Sequence, residues 1–189
     1  MIRIWILALT TMLALSGCQD TPVKPKPRAY PRIDYPQQTY QDYNVTGCPF
    51  TFQYPAYAEI KDKDKPCWFN IYLPVFNANI HCSYVPVTSR AQHDDLVKDA
   101  FTIADKINAR ANYMEQSPIH NTNGVGGLAL HWTGPAASPV HFFLTDTTSH
   151  FFTAALYFDS KVQPDSLAPI VAFLQKDIDQ MIATFAWKK

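Results

Sequence analysis

Four cysteines and six histidines are the residues of this 189-residue chain whose types and spacing could do chemistry. Cys18 closes the run Leu15-Ser16-Gly17-Cys18, in which a leucine, two small residues and a cysteine end an apolar stretch that starts at Ile4. That order fits cleavage before Cys18 by signal peptidase II, transfer of a diacylglycerol to its thiol, and acylation of the new amino group by a fatty acid such as palmitate. The residues before it supply the parts of an export signal: Arg3 as the charged head, Ile4 to Leu15 as the apolar middle, and small residues at the cut. An apolar run of about twelve residues is too short for a bilayer, which needs about 20. More than one acyl chain gives a stable anchor where a single chain gives marginal binding. Gln19 stands where an inner-membrane retention signal would place Asp, so the expected address is the outer membrane, on its periplasmic side.

Export makes disulfides possible for the three remaining cysteines. Cys48 opens an expected strand at Phe50 to Tyr54, a second short strand runs back near Tyr57 to Ile60, and Cys67 opens the next at Trp68 to Leu73. Two reversals of the chain return Cys67 to the end where Cys48 sits, which makes Cys48 and Cys67 the expected pair. Cys82 falls inside a strand and reads as a small buried apolar side chain.

The histidines His131, His141 and His150 fall on three successive expected strands. A shared metal or acid-base site would need a register that turns all three to one face, and side chains at adjacent positions alternate. They read as ordinary strand residues. No His-Glu-x-x-His, paired Cys-x-x-Cys or Gly-x-Ser-x-Gly motif occurs, and Gly124, Gly126 and Gly127 lack the Lys-Ser/Thr of a phosphate loop. Asp146 and His150 could form an acid-base pair, but a hairpin turn at Asp146-Thr147-Thr148-Ser149 accounts for both. The expected catalytic set, metal and cofactor are none, and the chain reads as a non-enzyme.

These residues must be positioned by a fold that the composition permits. Hydrophobic residues make up 47% and charged residues 17%, a globular balance. Sixteen basic and sixteen acidic residues leave no net charge, which argues against nucleic acid as a partner. The expected organisation is a lipoprotein signal peptide over 1–17, a lipidated cysteine with a proline-rich tether over 18–44, and a globular domain over 45–189. Prolines at 22, 25, 27, 31 and 36 favour extended chain in the tether, and Tyr30, Tyr35, Tyr40 and Tyr43 suit it to docking on the domain.

Strands are expected at Phe50 to Tyr54, Tyr57 to Lys61, Trp68 to Leu73, Asn77 to Tyr84, Val125 to Trp132, Val140 to Thr145 and His150 to Phe158. A first helix follows the capping-box pair Ser89 and Gln92, with Leu96, Ala100, Ile103, Ile107 and Ala111 on one stripe. A second runs from a cap at Asp165 or Ser166 to about Thr184, with Pro169 in its first turn and Leu167, Ile170, Leu174, Ile178 and Met181 as its stripe. Strands, helix, strands, helix describe a single α+β domain, an antiparallel sheet covered by two helices. Adjacent aromatics in strands, Trp68-Phe69, Phe142-Phe143 and Phe151-Phe152, face opposite ways. Either the second sheet face is covered too, or it offers an apolar patch to a protein partner.

With these segments in view the chain resembles the GldD family of gliding-motility lipoproteins of Bacteroidota. The resemblance rests on the run ending at Cys18, on Lys26-Pro27-Arg28-Ala29-Tyr30 with Arg32-Ile33-Asp34, on Cys48-Pro49-Phe50-Thr51-Phe52-Gln53-Tyr54-Pro55, and on Pro66-Cys67-Trp68-Phe69-Asn70-Ile71. It continues in Leu144-Thr145-Asp146, Ala155-Leu156-Tyr157-Phe158, Asp165-Ser166-Leu167-Ala168-Pro169 and Thr184-Phe185-Ala186-Trp187. It implies a cell-envelope lipoprotein needed for gliding motility and the linked type IX secretion system, with other envelope proteins of those machines as partners. It carries Cys18 as the lipid site, supports the Cys48–Cys67 pair, and marks Cys82 as a departure. Phe50 to Ile60 and the final helix also resemble the PsbP-like α-β-α sandwich, an analogy of fold alone. The alternative function is a periplasmic module for peptidoglycan or a small molecule, with aromatics and histidines lining its groove.

Replacing Cys18 by Ala is expected to leave the protein unanchored. Cell fractionation checks this, and an unchanged membrane fraction for the variant would count against acylation at Cys18.

Overall fold

The structure, a computed structural model, describes residues 32–159 and 164–188. The expectations for the export signal, Cys18 and the first half of the tether lie outside the described residues. Ten strands and two helices follow in the order β1 (Tyr40–Tyr43), β2 (Phe50–Pro55), β3 (Glu59–Asp62), β4 (Phe69–Leu73), a 3-10 turn (Pro74–Phe76), β5 (Ala78–Pro86), α1 (Arg90–Asn108), β6 (Tyr113–His120), β7 (Gly126–Thr133), β8 (Val140–Thr145), β9 (His150–Phe158), α2 (Pro164–Thr184) and β10 (Ala186–Trp187). The fold is α+β, with every strand pair antiparallel.

Two sheets form where one was expected. Seven strands take the order β3-β4-β5-β9-β8-β7-β6, and three more take the order β1-β2-β10. The split falls at β2, which pairs with β1 and β10 rather than with β3, so Phe50 and Phe52 leave the main sheet and lie over it. The Cys48–Cys67 disulfide therefore ties the small sheet to the large one, across 19 residues of chain and 5.5 Å between Cα atoms. Cys82 is buried on β5, where burial pushes its thiol pKa up and keeps it protonated.

Each face of the large sheet carries a helix. Phe142 and Phe152 point toward α2 and share the main core with its Leu174, Ile178 and Met181. Phe143 and Phe151 point the other way, stack at 5.2 Å, and pack against Leu96, Val97 and Ala100 of α1. Leu130 and Trp132 meet Ala104 and Ile107 of the same helix. Of the two alternatives for the second face, the structure shows the first: it is covered from within the domain.

The α1 stripe is rotated from the expected one. Ala100, Ala104 and Ile107 are buried while Ile103 is 44% exposed, because the sheet accepts a face centred on the alanines. Its N-terminus is capped as the spacing predicts: the Gln92 N–H donates to Ser89 Oγ at 3.2 Å, and Gln92 Oε1 accepts from the Thr88 N–H at 2.8 Å. In α2, Pro169 is the sixth residue, beyond the first turn. Its missing N–H therefore removes one i to i−4 bond near the start of the helix.

Three edge strands, β1, β6 and β10, were not legible in the sequence. β6 contains Pro118, tolerable because β6 is the outermost strand and needs no donor on its free side. Its partner β7 begins with Gly126 and Gly127, and a Cβ at Gly127 would meet the Phe143 carbonyl oxygen at 2.0 Å. That close approach, not phosphate binding, requires the glycine. β10 is two residues long and exists only through its pairing with β2.

Candidate functional site

The tether's second half belongs to the domain. Tyr35 packs its ring, tilted, 4.7 Å from Phe173 of α2, and Ile33 packs against the main core. β1 then adds to β2, with Tyr40 opposite Pro55 and Tyr43 opposite Phe52. Beside it lies the most deeply buried carboxylate among the described residues, Asp177 of α2, with 0% of its surface exposed. One oxygen accepts from Gln38 Nε2 at 3.0 Å and from the Tyr40 hydroxyl at 3.0 Å. The other accepts from the Tyr57 hydroxyl. A buried carboxylate is tolerable only with its lone pairs satisfied, and three donors from two chain segments do this. Burial, then the Asp177 hydrogen bond, pushes the Tyr40 pKa up to about 12 and the Tyr57 pKa further up, so both hydroxyls stay donors.

The three strand histidines are not brought together. His131 and His150 lie on the α2 face but at opposite ends of the sheet, since His131 pairs with Val140 while His150 pairs with Pro86. His141 lies on the α1 face, 3% exposed, its Nε2 2.8 Å from Thr153 Oγ1 and its Nδ1 buried without a partner among the described residues. Burial lowers its pKa to about 4. The His150 ring sits 2.8 Å from the Tyr84 hydroxyl, not on Asp146. Asp146 instead caps the hairpin, its Oδ1 accepting backbone N–H groups of Thr148, Ser149 and His150 at 2.8 to 3.0 Å. Burial works to raise the Asp146 pKa, but these three bonds outweigh it and lower it. No group of three metal-ligating side chains occurs among the described residues.

One concave surface is a trench along the α2 flank opposite Phe173, which sequence reasoning missed. Its first part, of about 340 Å³, lies between the β7–β8 loop and the start of α2 and is lined by Trp132, Pro139, Phe158, Leu167, Val171 and Ala172 among others, none charged. Its second part, of about 470 Å³, runs along the end of α2 against β6 and β7, with Ile119, His131, Ile178, Asp179 and Ile182 in its walls. Gln175 lines both parts. Nothing in the sequence announces it, because it forms where α2 stops short of the outer strands. On the other sheet face, beyond α1, His81 lies 5.0 Å from the Tyr157 ring and Lys61 Nζ sits 3.3 Å over Tyr72.

These features define an α+β domain with its N-terminal approach segment built into the fold; no helix among the described residues is long and apolar enough to cross a membrane. The family described as "Gliding motility lipoprotein GldD" matches residues 20–187, and the chain belongs to it. Membership places it in the cell envelope, as a lipid-anchored lipoprotein of gliding motility. Among solved structures, the solution structure of cyanobacterial PsbP (CyanoP) from Synechocystis sp. PCC 6803 is similar, with a TM-score of 0.49, 11% identity, and coverage of 92% of this chain and 99% of that one. No curated protein matches the chain.

Two outcomes test the buried groups. Asp177→Ala leaves three donors without their acceptor and is expected to cost about 2–4 kcal/mol. It should also open chymotryptic cleavage at Tyr40; urea unfolding and limited proteolysis check both, and continued protection of Tyr40 would show that the Asp177 hydrogen bonds do not hold the approach segment. His141, with its folded pKa below the ordinary 6.5, supports stability that is full above about pH 6.5 and is lost as the pH falls toward 4. Between pH 7 and 4.5 the wild type should therefore lose about 2–3 kcal/mol more than His141→Gln, measured by denaturant unfolding.

Proposed function

We propose that the protein is a non-enzymatic lipoprotein of the outer membrane, facing the periplasm. It is held by acylated Cys18 and supports gliding motility and the linked type IX secretion machinery through contacts with other envelope proteins. The observation that carries this reading is the family match over residues 20–187, which spans the tether and the whole domain together. Fusion of the approach segment to the domain through Asp177 supports it, since a contact protein gains from being held close to one membrane surface. The reading assigns no bond-breaking step to any residue.

The alternative, a ligand-binding module, is favoured by one observation, the trench along α2. Its walls are better suited to an apolar ligand than to peptidoglycan, because the first part offers only Thr133 and Gln175 as polar side chains for sugar hydroxyls.

A clean deletion is expected to abolish colony spreading and to reduce secretion of type IX cargo, measured on agar and in culture supernatant. Normal spreading together with normal secretion would overturn the scaffold reading. Crosslinking in living cells followed by mass spectrometry should recover secretion or motility components.

A further inference from the structure

Any load between a lipid anchor at the N-terminal end and a contact made on the domain must pass through the approach segment. The bonds that hold this segment to the domain are few and lie in a row. In chain order they are Tyr35 on Phe173 at 4.7 Å, Gln38 and Tyr40 on one oxygen of Asp177 at 3.0 Å each, and the short ladder of β1 on β2. Tyr35 is 41% exposed, and β1 is an outer strand of its sheet. Tyr43 is the last and firmest hold, buried against Phe52 at 4.8 Å and Phe69 at 4.5 Å. The large sheet is held differently: β5 and β9, nine residues each, pair along their whole length at its centre. Local opening draws on the parts of a fold with the fewest buried contacts, which here is the segment.

Two features bound such an opening and make it reversible. Cys48 stands shortly after β1, and its bridge to Cys67 fastens it beside the start of β4 in the large sheet. Chain freed from the N-terminal side therefore ends at Gly47 while the domain stays folded and the bridge stays closed. Asp177 also keeps one donor, because Tyr57 lies between β2 and β3 and not in the segment. Lifting the segment uncovers the other oxygen to water, so no buried charge is stranded. We propose that residues 32–47 form a releasable strap, which peels from α2 and β2 under load, stops at the Cys48–Cys67 bridge, and docks again when the load falls. The sixteen residues from Arg32 to Gly47 give at most about 58 Å of chain at full extension. The proposal takes its anchor from the lipoprotein family and is independent of the type IX link: it would stand if deletion left secretion normal.

Magnetic tweezers test this on the chain from Cys18 onward, with one handle on the Cys18 thiol and the other on an azide-bearing side chain at position 137, exposed in the β7–β8 loop. That loop shares a sheet end with the β4–β5 turn, since Val140 pairs with Leu156 and Ala78 with Phe158, and Tyr35 reaches Phe76 in that turn. The pull therefore starts at the free end of the strap and breaks its bonds in turn. The oxidised protein is expected to show a reversible first step of at most about 58 Å, at a load below the one that unfolds the domain. Gln38→Ala combined with Tyr40→Phe alters only the strap. It should shorten the docked lifetime at a given load about tenfold or more, the weight of a hydrogen bond to a charged group, while domain unfolding keeps its force. Reducing the bridge with dithiothreitol should lengthen the first step. The proposal is overturned by the absence of a step before the domain unfolds, by a longer first step in the oxidised protein, or by failure to dock again. A docked lifetime unchanged in the double variant, or a first step unchanged by reduction, overturns it equally.

Discussion

The two sheets and the chain that leaves α2 meet at Phe50. Its ring, fully buried, lies 5.8 Å from Tyr43 of β1, 5.1 Å from Phe152 of β9 and 5.5 Å from Phe185 after α2. It also contacts Phe69 of β4 and Trp187 of β10. Aromatic rings bury large areas in few rotamers, and truncating one in a core costs roughly 3–5 kcal/mol. The small sheet has only three strands and a two-residue edge, too little to stand alone. It exists because this aromatic cluster fastens it to the large sheet and to α2, with the Cys48–Cys67 bridge closing the same seam.

The seam decides what α2 can do. On one flank the helix is sealed by the approach segment, through Tyr35 on Phe173 and through the Asp177 hydrogen bonds. On the other it is left open against β6 and β7. One helix thereby serves as both a mooring for the chain that comes from the membrane and a wall of the trench. Leu174, Ile178 and Met181 between them hold the helix to the sheet, so neither flank has to contribute to holding it down.

The sequence carried the long elements and lost the short ones, for physical reasons visible residue by residue. β9 and β8 announce themselves by β-branched and aromatic runs, and α1 by Ser89 and Gln92, because these signals are local. β1, β6 and β10 depend on pairing partners distant in the chain, and Pro118 reads as a breaker until β6 is known to be an edge. Ile103 looked inward because a regular stripe does not report which side chains the opposing sheet accepts. The Cys48–Cys67 pair was legible from chain reversals alone, although those reversals cross between two sheets. The trench and Asp177 were not, since the first is a gap between elements and the second is an acidic residue inside an apolar stripe, where sequence offers no hint of its three donors.

The docked approach segment also sets a length. By lying on the domain, residues 32–44 take about 40 Å of extended reach out of the chain that leads to it. Asp177 and its donors thus act as a knot in the line, fixing the place on the domain from which the approach segment departs.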